Sequence, residues 1–173
     1  MPEPSEDFPD CSECGFRIRD RPCRAADGTL DIPRLARVYL INGRNTGLQA
    51  STDDSFWAFE CLNDIVEASP EIAFRCVLAA LDLCEGDTDM AYLAAGPMED
   101  LVIRHGPQLI DAIEEEAVRN ARFRALLSGI WGESRTDPAV WSRIQIALRT
   151  GPWLDDDPRT PHGSRRRRGS NER

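Results

Sequence analysis

The sequence predicts an all-α fold, a compact bundle or a solenoid-like stack of about seven or eight short helices, and three observations predict it. Apolar residues recur at helical spacing from residue 31 to residue 149. The same span repeats helix-start signals, four of them a proline preceded by Ser69, Gly96, Gly106 or Asp137. No segment alternates apolar and polar residues between turn signals, as a half-buried strand would.

Residues 1–30 hold four prolines and three cysteines with little periodicity, and read as an irregular lead-in to a helical domain at 31–150. Asp31 before Ile32-Pro33 starts the first helix, with Leu35, Val38, Tyr39 and Ile41 as its stripe and Gly43 as its end. Residues 44–52 read as a loop. Asp53, Asp54 and Ser55 can each cap the second helix, where Phe56, Trp57, Phe59, Leu62, Ile65 and Val66 fall on one broad face. Ser69 as N-cap and Pro70 at the first helical position open the third, which is apolar nearly all round and is expected at the centre.

Asp87 caps a fourth helix through Met90, Tyr92 and Leu93. Gly96-Pro97 interrupts it and restarts a short helix to Ile103, and Gly106-Pro107 repeats the device ahead of Leu109, Ile110, Ile113, Ala117 and Val118. Asn120 starts the next, with Phe123, Leu126, Leu127, Ile130 and Trp131 as its buried stripe. Asp137-Pro138 opens the last, carrying Val140, Trp141, Ile144 and Leu148. Residues 151–173 are rich in Pro, Gly, Ser and Arg and are expected to be a disordered tail.

Composition removes most familiar catalytic designs. All 21 basic residues are arginine, so no lysine can form a Schiff base or serve a P-loop. With only His105 and His162, a two-histidine metal site or a Ser-His-Asp triad has almost no raw material. No apolar run approaches the ~20 residues that span a bilayer, and the acidic, proline-broken start is wrong for a secretory signal. A cytoplasmic protein with no membrane partner is the expectation.

Charge is unevenly spread. Residues 1–157 hold 15 arginines against 29 acids, a net of −14, whereas residues 158–173 hold six arginines against Glu172. An acidic body repels nucleic-acid phosphate and favours solubility or a basic protein partner. Arg165, Arg166, Arg167 and Arg168 could touch phosphate only weakly and without regard to sequence.

Two constellations could carry chemistry. Cys11-x-x-Cys14-Gly15 with Cys23 resembles a zinc knuckle, but three thiolates leave one of the four positions to Asp10, Glu13 or Asp20. The expectation is no cofactor, with zinc as the alternative. Glu99, Asp100, Arg104 and His105 gather beside two backbone breaks and form a candidate ligand site with no catalytic residue assigned. Glu99 and Asp100 point about 100° apart on a helix, so they do not share a substrate naturally. Each also has a structural role available: Glu99 against the positive helix end, Asp100 paired to Arg104 one turn on, His105 at the negative end.

The run Ala94-Ala95-Gly96-Pro97-Met98-Glu99-Asp100-Leu101, followed by His105-Gly106, is the most distinctive stretch. With Phe56-Trp57-Ala58-Phe59-Glu60, Ser69-Pro70-Glu71 and Val140-Trp141-x-Arg143-Ile144 around it, it resembles the signature of an uncharacterised bacterial all-helical family over roughly residues 53 to 149. Phe74 stands where that family's pattern has tryptophan. The resemblance implies a helical fold and no assigned activity. The residues therefore favour a non-enzymatic, acidic helical interaction module, immunity-like, antitoxin-like or adaptor, docking a protein that is basic. The alternative is a small ligand-binding or enzymatic domain centred on the region bounded by Gly96 and Gly106.

Overall fold

The computed structural model describes residues 23–45, 55–149 and 151–152. Among them the fold is all-α, with seven α-helices and no sheet strand. They are α1 (Ile32–Asn45), α2 (Phe56–Ala68), α3 (Pro70–Leu83), α4 (Asp87–Leu93), α5 (Glu99–Arg119), α6 (Ala121–Leu127) and α7 (Pro138–Ala147). The expected tail beyond Pro152 lies outside the described residues.

Local signals account for most starts. The Asp31 carboxylate accepts from the backbone N–H of Arg34 at 3.0 Å, Asn120 from that of Phe123 at 3.1 Å, and Asp137 from those of Ala139 and Val140 at 2.8 and 3.2 Å. α3 occupies the centre, as its all-round apolar sequence demands, and packs against α1, α2, α4, α5 and α6. A solenoid, in which each unit meets only its neighbours, is thereby replaced by a compact bundle. α7 lies along α5.

Order also reaches back into the expected lead-in. Residues 23–30 form a turn with an isolated antiparallel bridge between Arg24 and Leu30, made possible by Gly28 at φ +82°. Asp27 accepts from the Thr29 hydroxyl at 2.6 Å and from its N–H at 3.0 Å, which holds the carboxyl below its ordinary range. Cys23 is buried in the core at the start of this turn.

Two glycine-containing signals have a different meaning from the one their sequence suggests, and a third keeps it. Gly43 does not end α1, which runs on through Arg44 and Asn45. Its missing side chain admits the Tyr92 ring, whose Cδ1 lies 2.3 Å from where a Cβ would stand. Gly106-Pro107 does not divide a helix either: α5 is continuous over 21 residues, with Pro107 on its exposed side. Gly106 is instead the contact point of α7, because a Cβ there would sit 2.8 Å from Val140 Cγ1. Two expected helices therefore merge into one. Gly96-Pro97 does break the helical path, as a short π turn over Ala94–Met98 in which Gly96 has φ −102° and ψ −112°.

The expected α2 stripe is narrower than its sequence suggests. Ala58, Cys61, Leu62, Ile65 and Val66 are buried, while Phe56 and Phe59 stack on each other outside the core, 5.6 Å apart. Cys61, Cys76 and Cys84 are core residues, and burial pushes the thiols of Cys76 and Cys84 up to about 12.

An ion pair between the exposed Arg44 and the buried Asp89 ties the end of α1 to α4. Arg44 grips Asp89 through Nε at 2.9 Å and Nη2 at 2.6 Å, and the Glu85 N–H donates to the same carboxylate at 2.8 Å. The Arg44 bonds, aided by the Glu85 amide, hold Asp89 below the ordinary carboxylate range against the opposing effect of burial. A group whose folded pKa is depressed stabilises the fold above its unfolded pKa and loses that contribution as pH falls. The melting temperature is therefore expected to decline between roughly pH 5 and pH 2. Asp89→Asn should lower the plateau and flatten that decline, as a pH series of thermal melts would show.

Candidate functional site

The π turn and the first turns of α5 contain all four candidate ligand residues. At the turn itself, the hydroxyl of Tyr39 lies 2.7 Å from where a Cβ of residue 96 would stand, so Gly96 is needed for a close approach as well as for its backbone. Tyr39 is 2% exposed and its hydroxyl has no hydrogen-bond partner. Burial foremost, with Tyr92 and Asp100 nearby, holds that phenol far above its ordinary value. The Tyr39 and Tyr92 rings meet at 4.9 Å, and Asn42 Nδ2 donates to the Tyr92 hydroxyl at 3.1 Å.

Glu99 is buried. Oε2 accepts from the backbone N–H of Trp131 at 2.7 Å, and Oε1 accepts from the Arg135 guanidinium. The first residue of α5 thus clasps the segment joining α6 to α7. A second contact fixes the same segment: a Cβ on Gly132 would come within 3.0 Å of Ile103 on α5. The Gly132 carbonyl accepts from the Thr136 hydroxyl at 2.8 Å and from the N–H groups of Arg135 and Thr136, both at 2.9 Å.

The product of this clasp is Trp131, whose residue is 85% exposed. The sequence places it in the buried stripe of α6, but α6 stops at Leu127 and only Phe123, Leu126, Leu127 and Ile130 of that stripe are buried. The legible signal was Ser128-Gly129, which breaks the helical period before position 131.

Asp100 is half-buried, and burial raises its carboxyl above the ordinary range; Arg104 and Arg135 counter this, while Glu99 and Glu67 add to it. The expected Asp100–Arg104 bond is not the one formed. Arg104 reaches across to Glu67 on α2, and Gln108 does the same to Glu71 on α3. His105 is five residues beyond Asp100, on another side of α5, and its Nε2 is buried without a hydrogen-bond partner. The four side chains therefore do not converge: Glu99 serves the 131–135 segment, Arg104 bridges to α2, and His105 faces elsewhere.

A cavity of about 560 Å³ lies further along α5 and shares no residue with them, lined by Glu114, Ala117, Val118, Arg124, Ile146 and Ala147. Its α5 residues begin 15 positions after Glu99, roughly 22 Å along the helix at 1.5 Å per residue. Arg124 there also donates to the Gly151 carbonyl at 2.6 Å, holding the chain beyond α7 against α6.

Of the candidate zinc ligands, Cys23 is 2% exposed within the core, and Cys11 and Cys14 lie outside the described residues, as do Arg165, Arg166, Arg167 and Arg168. Among the described residues no three His, Cys, Asp or Glu side chains cluster as metal ligands would. No helix among them is long and apolar enough to cross a membrane.

The chain matches no curated protein and no solved structure. A family model does match it, over residues 46–151, which takes in α2 to α7 together with the π turn and the Glu99 clasp. The chain accordingly belongs to DUF6869, a family of unknown function.

Proposed function

We propose that the chain is a non-enzymatic, acidic helical interaction module, of the immunity, antitoxin or adaptor kind, that acts in the cytoplasm by docking a basic protein. The observation that carries this reading is the Glu99 carboxylate. The acid of the family-like motif is directed inward, onto the Trp131 amide and Arg135, where it shapes a surface. Arg104 is likewise bonded to Glu67. The net charge of −14 over residues 1–157 selects a cationic partner and disfavours nucleic acid. No cofactor enters this reading.

A second reading, a ligand site between Gly96 and Gly106, draws on the Tyr39 hydroxyl left without a partner beside the π turn. It is the weaker of the two, because Asp100 and His105 lie on different sides of α5 and Tyr39 is closed off from solvent.

The test is in-cell photo-crosslinking from a reactive amino acid placed at exposed positions on different faces: 131, 118 and 37. One protein, captured reproducibly from one face, should bind the purified chain saturably and lose affinity as salt rises. Capture from every face alike, or no saturable binding by the purified candidate, would overturn the reading.

A further inference from the structure

We infer that the docking surface is the 131–135 segment together with the outer face of α2 and the first turns of α5, and that an arginine or lysine side chain of the partner stacks on the Trp131 indole. The inference rests on the interaction reading above and adds to it a location and a ligand chemistry.

The first observation is the tryptophan itself. Its ring is exposed while its backbone is fixed by the Glu99 bond and by Gly132 packed on Ile103. An exposed aromatic on an ordered backbone loses little freedom when it is covered, and tryptophan is enriched among residues that dominate binding energy. Trp57 and Trp141, by contrast, are partly buried against the core.

Charge on the elements that meet at the clasp is the second observation. Arg34 of α1 is taken up over the Trp57 ring of α2. Otherwise α2, the start of α5 and the 131–135 segment carry Glu60, Asp64, Glu67, Glu99, Asp100 and Glu133 against Arg104 and Arg135. Both guanidinium groups are already bonded to a carboxylate, to Glu67 and Glu99. That leaves Glu60, Asp64, Asp100 and Glu133 with no ion pair among the described residues. The Arg104–Glu67 and Arg135–Glu99 bonds bring α2, the start of α5 and the 131–135 segment together, and Asp100 feels Arg135 and Glu67 while Asp64 feels Glu60 and Glu67. Burial together with those like charges pushes the Asp64 and Asp100 carboxyls upward, a repulsion that an incoming cation would relieve.

The third observation is the apolar margin. Phe56, one turn before Glu60 on α2, is 50% exposed and stacked on Phe59. An aromatic ring beside carboxylates is the setting in which a guanidinium or ammonium group gains both ring and ion contacts. Phosphate would be repelled from the same surface.

The test is isothermal titration of the full chain with a nona-arginine peptide, with a nona-citrulline peptide of the same length as the uncharged control. Saturable binding of the arginine peptide alone is expected. Trp131→Ala should weaken it about fivefold, the scale of a cation–π contact, and Trp131→Phe less. Glu133→Gln should weaken it about twofold, while Val118→Ser, on an exposed position far along α5, should leave it unchanged. Circular dichroism checks that each variant is folded. Unchanged affinity in folded Trp131→Ala overturns the inference, yet leaves the interaction reading standing if crosslinking captures a partner from another face. Replacing Arg165, Arg166, Arg167 and Arg168 by glutamine gives one more discriminating result. Tenfold tighter peptide binding would mean that the chain's own arginine block occupies the surface, which also overturns the inference.

Discussion

Glu99→Ala is expected to destabilise the fold by about 2–3 kcal/mol, mostly because the Trp131 amide loses its acceptor in a partly buried bond. An unsatisfied buried N–H costs ~1–3 kcal/mol by itself. The ion pair with Arg135 adds under about 1 kcal/mol, since that guanidinium is 59% exposed and screened by water. For a chain of this size the melting temperature should fall by roughly 5–10 °C. Glu99→Gln keeps an acceptor for the amide and should recover about half of the loss. The variant also separates stability from presentation. Under conditions where Glu99→Ala is still folded, the 131–135 segment has lost its clasp, so time-resolved fluorescence should report faster motion of Trp131. If denaturant unfolding gives Glu99→Ala the stability of the parent chain, the clasp does not hold that segment.

Gly43→Ala is expected to cost about 3 kcal/mol, the opposite sign from the ordinary effect of this substitution inside a helix. In an exposed helix, alanine in place of glycine stabilises by roughly 0.5–1 kcal/mol. Here the added Cβ would meet Tyr92 ring carbons at 2.3, 2.5 and 2.8 Å. The ring has little room to give. It packs on Tyr39 at 4.9 Å and its hydroxyl accepts from Asn42. Overpacking of this kind costs ~1–3 kcal/mol, and the disturbed hydrogen bond adds about 1 kcal/mol. A double-mutant cycle isolates the clash: in a Tyr92→Ala background, Gly43→Ala should be neutral or mildly stabilising. Equal destabilisation in both backgrounds would place the cost in α1 itself.

Both variants act at positions whose meaning depends on residues far away in sequence. The helix starts at Asp31, Asn120 and Asp137 were legible because a capping side chain and the amides it serves lie within three residues. The central place of α3 followed from an apolar sequence on all sides, and the absence of strand-like alternation announced a helical fold. The acidic character of the body is a property of composition alone.

Tertiary structure decided the rest. A glycine in sequence signals either a stop or a close approach, and only the group that arrives tells which: Tyr92 at Gly43, Val140 at Gly106, the Tyr39 hydroxyl at Gly96. Arg104 had a carboxylate one turn away in Asp100, yet bonds Glu67 from another helix. Trp131 looked like the end of a buried stripe and became the most exposed large apolar side chain among the described residues, because Glu99, 32 positions earlier, holds its amide. Capping and periodicity are carried by neighbours along the chain, so a sequence contains both ends of those interactions within a few residues. Packing partners and buried carboxylate bonds join residues tens of positions apart, and their identity is settled only when the helices meet.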